Sequence, residues 1–343
     1  MSNLLARYAD CVFWMARQIE RANSLARILD VNATFSRDSR GNQNWESILN
    51  LYADVERFAE YYAEIDASSV IRFYVSDRRN PSSVVSTLWA ARENARTLRP
   101  LISTEMWVAL NTFYGKVSRL RARDLAEENL SRLCDFFKQG CQTFNGVLAE
   151  TFYRDEGWFF YQIGTNIERA DQTTRLLDVK YHLLLPSIDL VGSALDASQW
   201  NALLRSAAGF HAFRRIHPSG MTPGRVAGFL LLNGRFPRSV VACVSEAAEL
   251  LTELRRSFNL RRGAEAELHL LRLRDQIRSA TIETAVAMGM HEHLDWIQGE
   301  LVEVTDTLGI EFFGHRPQEM AIGTPGAAGG QSQAQSQIWT SSS

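Results

Sequence analysis

Lysine is nearly absent from this chain. Only Lys116, Lys138 and Lys180 occur among 37 basic residues in 343, so almost all the positive charge is arginine. Nucleotide bias in the gene is the plain reading of that skew. Its chemical consequence is a set of planar forks suited to carboxylates and phosphates, which a point-like ammonium is not. Cysteine is also scarce. Four Cys in no tight motif exclude a disulfide framework and fit a reducing, cytoplasmic compartment. Long apolar runs are missing. FLLLN at 229–233 is far too short for a bilayer, so no membrane is expected. The opening MSNLLARYAD has neither the basic stretch nor the apolar core of a signal peptide. A net charge of −2 excludes a dominant nucleic-acid surface.

What the chain does contain is one passage written twice. Residues 13–31 read FWMARQIERANSLARILDV, and residues 161–179 read YQIGTNIERADQTTRLLDV. Glu20-Arg21 and Glu168-Arg169 correspond at an offset of 148, and eight of the thirteen positions from Ile19 to Val31 are identical in the second copy. Trp45 and Trp200, Leu49 and Leu204, and Phe58 and Phe213 correspond at an offset of 155. At an offset of 156, SSVIRFYVSDRRNPSSVV (68–85) aligns without gaps on GRVAGFLLLNGRFPRSVV (224–241). Three matches in the same order imply two tandem copies of one helical unit, about 1–150 and 151–320. The Gly, Ser and Gln-rich stretch at 321–343 is expected to be a disordered tail.

The periodicity is helical almost throughout, so the expected fold is an all-α bundle with pseudo-two-fold symmetry. In the first helix Leu5, Tyr8, Val12, Met15, Ile19, Ala22, Ala26 and Leu29 alternate in steps of three and four, a seam of four heptads. The second copy repeats that seam from Tyr153 to Leu177. Helices are expected near 3–35, 44–64, 69–76, 81–99, 103–121, 125–152, 156–184, 197–214, 223–233, 238–258, 264–288 and 291–311. VIRFYV at 70–75 reads as a strand in isolation, but its repeat partner follows a Thr222-Pro223 helix start, so both read as short helices. Asn80-Pro81 reads as the same kind of start.

Conventional catalytic signatures are missing. There is no Glu-x-x-His, no H-E-x-x-H, no Walker A sequence and no G-x-S-x-G. Cys134 and Cys141 are seven apart and read as small core residues, not ligands. His291, Glu292, His293 and Asp295 form the most metal-like cluster, but a polar helix start explains them better, so no metal or other cofactor is expected. His211, Arg214, Arg215 and His217 read as a solvated helix end. A second candidate is AARENAR. Arg92, Arg96 and Arg99 line one helix face, with Glu93 and Asn94 beside it and Glu105 and Trp107 in the next helix. Such a face either binds a carboxylate or phosphate, or is tied to neighbouring acids.

FWMARQIERAN (13–23), the 80–111 segment, GWFFYQIGTNIERADQTTRLLDVKYH (157–182) and FLLLNGRFPRSVVACVSEAAELL (229–251) together resemble the alpha-E family, all-helical bacterial proteins named for a Glu-Arg (ER) motif. The resemblance covers nearly everything before the tail. The chain departs from the family's pattern at Thr165, where an Arg is usual, and at Asn23, where an acid is usual. What the resemblance implies is genomic company: a circularly permuted ATP-grasp protein, often with transglutaminase-like or proteasome-like peptidases. The expected function is an accessory or binding subunit working with that ligase in peptide or amide-bond formation. The alternative is an enzyme acting on an amino or carboxylate substrate through the Glu-Arg pairs and the Arg92/Arg96 face.

The Glu-Arg pairs lie on a largely apolar helix flank, where an isolated ion costs several kcal/mol. Neighbours in sequence point about 100° apart on a helix, so each acid needs a partner from another helix. The expected arrangement is reciprocal, with Glu20 meeting Arg169 and Glu168 meeting Arg21.

Overall fold

A computed structural model describes residues 4–38, 45–183 and 194–315. In chain order the helices are α1 (Ala6–Asp38), α2 (Glu46–Leu51), α3 (Val55–Ala59), α4 (Ala67–Val75), α5 (Val84–Thr97), α6 (Thr104–Val117), α7 (Leu130–Thr151) and α8 (Glu156–Leu183). There follow α9 (Ala194–Ser206), α10 (Phe210–Ile216), α11 (Pro223–Leu232), α12 (Val240–Ser257), α13 (Ala264–Ser279), α14 (Ile282–Met288) and α15 (Met290–Leu308). Two 3-10 turns precede α7, and a π turn at Gly309–Phe313 follows α15. Among the described residues there is no strand. The expected tail at 321–343 lies outside them.

The two signature helices pack on one another at the centre. α1 is also covered by α5, α7 and α9, and α8 by α12, α15 and α2. Burial on every side explains why the middle of α1 has no solvent-exposed face: Val12, Phe13, Met15, Ala16 and Arg17 are all fully buried. Gly157 lies beside Val12, Gly164 beside Phe13 and Ala16, and Glu168 beside Arg17 and Arg21. Contacts therefore advance in the same direction along both helices, so α1 and α8 run parallel. The close approach depends on Gly164, where a Cβ would stand 2.6 Å from the Phe13 carbonyl oxygen and 3.4 Å from the Ala16 Cβ.

The VIRFYV segment is helical, within α4, and Thr222 caps α11 by accepting from the Arg225 amide. Five expected helices are divided or start elsewhere, among them 125–152, whose first residues form 3-10 turns before α7 begins at Leu130. The 44–64 segment breaks at Ala53 (φ 51°), and the 197–214 segment breaks at Ala208 (φ 59°). A left-handed alanine carries no sequence signal, because glycine is the usual residue there. The 264–288 segment divides because Thr281 caps a new helix, α14. The 81–99 helix starts at Val84, capped by Ser83. Asn80 does not cap it. Its side chain instead donates to the Phe73 carbonyl and accepts from the Ser82 amide, closing the preceding turn.

Candidate functional site

The parallel packing of α1 and α8 brings the Glu-Arg pairs to one level of the core. Arg169 Nη2 lies 3.1 Å from Glu20 Oε2, and Arg21 Nε lies 2.7 Å from Glu168 Oε1, so the pairs cross as the repeat required. Both carboxylates are buried. Neither has a single partner. Glu168 also accepts from Arg17 Nε at 2.8 Å and Gln172 Nε2 at 3.2 Å. Arg17 is itself fully buried and donates to Thr305 Oγ1 of α15. Glu20 also takes Arg238 Nη1 at 2.9 Å, from the residue before the N-cap of α12.

Burial alone would raise both acids. The facing guanidiniums outweigh it, Arg169 and Arg238 for Glu20 and Arg21 and Arg17 for Glu168, and hold each at about 2. Burial likewise opposes the charge on Arg21, and Glu168 more than restores it. An acid whose folded value lies below its ordinary 4.5 stabilises the fold above that value and ceases to do so as pH falls toward 2. Unfolding free energy is therefore expected to fall most steeply between pH 4.5 and 2. Urea titrations across that window should show the slope reduced in Glu20→Gln.

Next to the pairs, Asp171 holds Arg175 at 3.0 Å, and Arg175 Nη1 reaches the Leu51 carbonyl at 3.0 Å. Gln172 accepts from the Tyr52 hydroxyl at 3.0 Å. Arg27 donates through Nη1 to the Ser206 carbonyl, and Ser206 Oγ returns a bond to the Arg27 carbonyl at 2.8 Å. A narrow, partly open cleft of about 10 Å3, room for about one water molecule, borders this cluster and is lined in part by Ser24, Arg27, Gln172, Thr173 and Arg238. It is not lined by the four motif residues, which close on one another.

The AARENAR face is separate. Glu93 bridges Arg92 and Arg96, at 2.7 Å each, and Arg92 Nε donates to Asn111 Oδ1 at 2.7 Å. The guanidiniums of Arg92 and Arg99 lie over the Trp107 ring at 5.4 and 5.0 Å. Asn94 is buried on the other side of α5, while Glu105 is exposed in the first turn of α6; among the described residues no hydrogen bond or ion pair joins either to this face. Arg96 is 69% exposed, so Arg96→Ala is expected to change stability by less than about 1 kcal/mol. A thermal melt checks it.

His291 accepts a place between two acids: Nδ1 is 3.1 Å from Asp178 and Nε2 is 3.3 Å from Asp295. These acids override partial burial and raise its pKa. Asp178, Asp295 and His291 could in principle hold a cation, but each imidazole nitrogen already faces a carboxylate, which the protonated ring satisfies. His293 is buried beside Trp296 and held below its ordinary range by desolvation, and Glu292 makes no part of the group. His217 packs on Phe213, and Arg214 on Phe210. All four cysteines are buried and free, with burial raising each thiol.

Sequence reasoning missed Arg17, Arg27 and Arg238. Arg17 stands one turn before Arg21, on the same face, which was a usable signal. Arg238 aligns with Ser82 in the 68–85 and 224–241 sequence match, which therefore gave no hint of it.

A family model named Alpha-E, described as a predicted alpha-helical domain with a conserved ER motif, matches residues 4–313. The chain is 25% identical over 255 residues to the uncharacterized protein Mb2597 of Mycobacterium bovis, covering 68% of this chain and 28% of that protein. It is similarly 24% identical over 255 residues to the uncharacterized protein Rv2567 of Mycobacterium tuberculosis, with the same coverage. The aligned part thus spans under a third of the relatives' length. No solved structure matches the chain.

Proposed function

The chain belongs to the Alpha-E family, and from that premise we propose that it is an accessory or binding subunit working with a circularly permuted ATP-grasp ligase in peptide or amide-bond formation. The observation that carries this reading is the closure of the motif on itself. Glu20, Arg21, Glu168 and Arg169 are spent on reciprocal pairs that lock α1 to α8, which is the work of a scaffold. Exposed recognition chemistry lies elsewhere. Trp89 shares a face of α5 with Arg92 and Arg96, Val108 lies one turn before Asn111 on α6, and both Trp89 and Val108 are exposed. Apolar side chains beside guanidiniums suit a protein partner. Among the described residues no helix is long and apolar enough to cross a membrane.

The scaffold reading includes tandem duplication about a pseudo-two-fold axis. Ala53 and Ala208, both left-handed, correspond at the offset that relates Trp45 to Trp200. Ser83 and Ser239, which cap α5 and α12, correspond at the next offset. Ala16 and Gly164, equivalent in the two copies, face one another.

The test is co-expression with the ATP-grasp protein. Co-elution, with ATP turnover by the ligase that depends on this chain, is the expected result. Separate elution and unchanged turnover would overturn the proposal. Co-purification with a transglutaminase-like or proteasome-like peptidase instead would replace the ligase as partner. Substrate conversion by this chain alone would establish the enzyme reading.

A further inference from the structure

We propose that the cleft bounded by Arg27, Arg238, Ser24 and Thr173 binds the anionic head of a small ligand, a carboxylate or a phosphate. The argument does not depend on the ligase partnership.

Charge is distributed unequally between the two halves of the core. Around Glu168, three guanidiniums (Arg17, Arg21 and Arg175) meet two carboxylates, Glu168 and Asp171. Around Glu20 the guanidiniums of Arg169 and Arg238 are joined by that of Arg27, and Glu20 is the carboxylate they share. The repeat shows where the missing acid would be. Arg27 is the equivalent of Arg175, whose partner Asp171 stands four residues earlier on α8. The corresponding residue on α1 is Asn23, which is neutral. Arg27 is therefore an arginine from a buried pair whose acid is absent.

The hydrogen bonding shows the same deficit. Arg27 is only 6% exposed, yet its Nε has no partner, and Arg169 Nε is also buried without one. An unused buried guanidinium donor is costly, and an anion removes that cost. Burial, then repulsion from Arg238 and Arg169, lowers the Arg27 pKa to about 10 against the attraction of Glu20, so Arg27 still carries its charge at neutral pH. Ser24 and Thr173 add hydroxyls to the lining. Arg238 immediately precedes the N-cap of α12, whose positive helix end favours negative charge in the same place. Glu20 is the repulsive element, and its engagement by Arg169 and Arg238 limits that repulsion. The cleft holds about one water-sized group, so a single oxygen of the head group enters it and the rest of the ligand lies at its open side.

The experiment uses the full chain and two probes, inorganic phosphate and acetate, each compared with sodium chloride at equal ionic strength. Isothermal titration calorimetry and the shift in melting temperature are the readouts. At least one probe is expected to bind and to raise the melting temperature beyond the chloride control; which one does so identifies the head group. Asn23→Asp supplies the absent acid to Arg27 and is expected to keep the fold while weakening that binding at least tenfold. Arg27→Gln removes the donor and should weaken it similarly. Stabilisation by both probes no greater than by chloride would overturn the proposal, as would undiminished binding in folded Asn23→Asp. Failure of co-elution with a ligase would leave these results unaffected, so the two proposals fail separately.

Discussion

Glu168→Ala is expected to lower the unfolding free energy by about 3–5 kcal/mol, the largest loss of any single change in the charged core. Arg17 is fully buried and loses the carboxylate that accepts from its Nε, while its bond to the Thr305 hydroxyl remains. Arg21 loses both of its bonds to the same carboxylate. Two guanidiniums are then left near one another with their shared counter-charge gone. Arg21→Ala is different, because Arg17 still holds Glu168; its cost is expected to be smaller, about 1–3 kcal/mol by loss of a charged hydrogen bond. Combining Arg21→Ala with Glu168→Ala should cost less than the two single losses added together. Urea unfolding at neutral pH measures all three. A loss below about 1 kcal/mol for Glu168→Ala would show that the pair does not hold the core, whatever its geometry.

Gly164→Val should cost about 3 kcal/mol, the upper end of what overpacking does. Any Cβ at this position meets the backbone of α1, not a side chain that can rotate away, since the nearest atom is the Phe13 carbonyl oxygen at 2.6 Å. The helices must separate to relieve it. Separation also stretches the Glu20–Arg169 and Glu168–Arg21 pairs, which lie about one turn further along. Gly164→Ala recovers some helix propensity, roughly 1 kcal/mol, and should be milder than Val. Gly115→Ala is a control, because a Cβ there meets nothing within 4 Å. Thermal melts that give the same midpoint for Gly164→Val and the parent would refute the close-crossing argument.

The all-helical character was legible because helical period, caps and heptad seam recur along most of the chain. The reciprocal ion pairs were legible for a narrower reason. A repeated charge on an apolar flank needs a partner, and the matching passage supplies one of opposite sign. The breaks at Ala53 and Ala208 were not legible, since alanine is the strongest helix former; each closes a helix end in the left-handed state, with the Asp54 amide donating to the Leu49 carbonyl and the Gly209 amide to the Leu204 carbonyl. The Arg92 face was legible as three aligned arginines. Its closure by Glu93 and Asn111 was not, because rotamers and the neighbouring helix decide whether such a face is free or tied.

By itself the sequence determined the helical class, the two related passages and the chemistry of the residues that had to be paired. Periodicity and residue type are local properties, and they survive without coordinates. Only the tertiary structure decided how many arginines share each carboxylate. Arg17, Arg27 and Arg238 acquire their meaning from distances across helices far apart in the chain, 151 residues in the case of Arg17 and Glu168. Asn23 shows the boundary between the two. The sequence marks it as a neutral residue where the matching passage has an acid, Asp171, but that difference becomes a candidate anion site only when folding buries Arg27 next to Arg238 and a cleft.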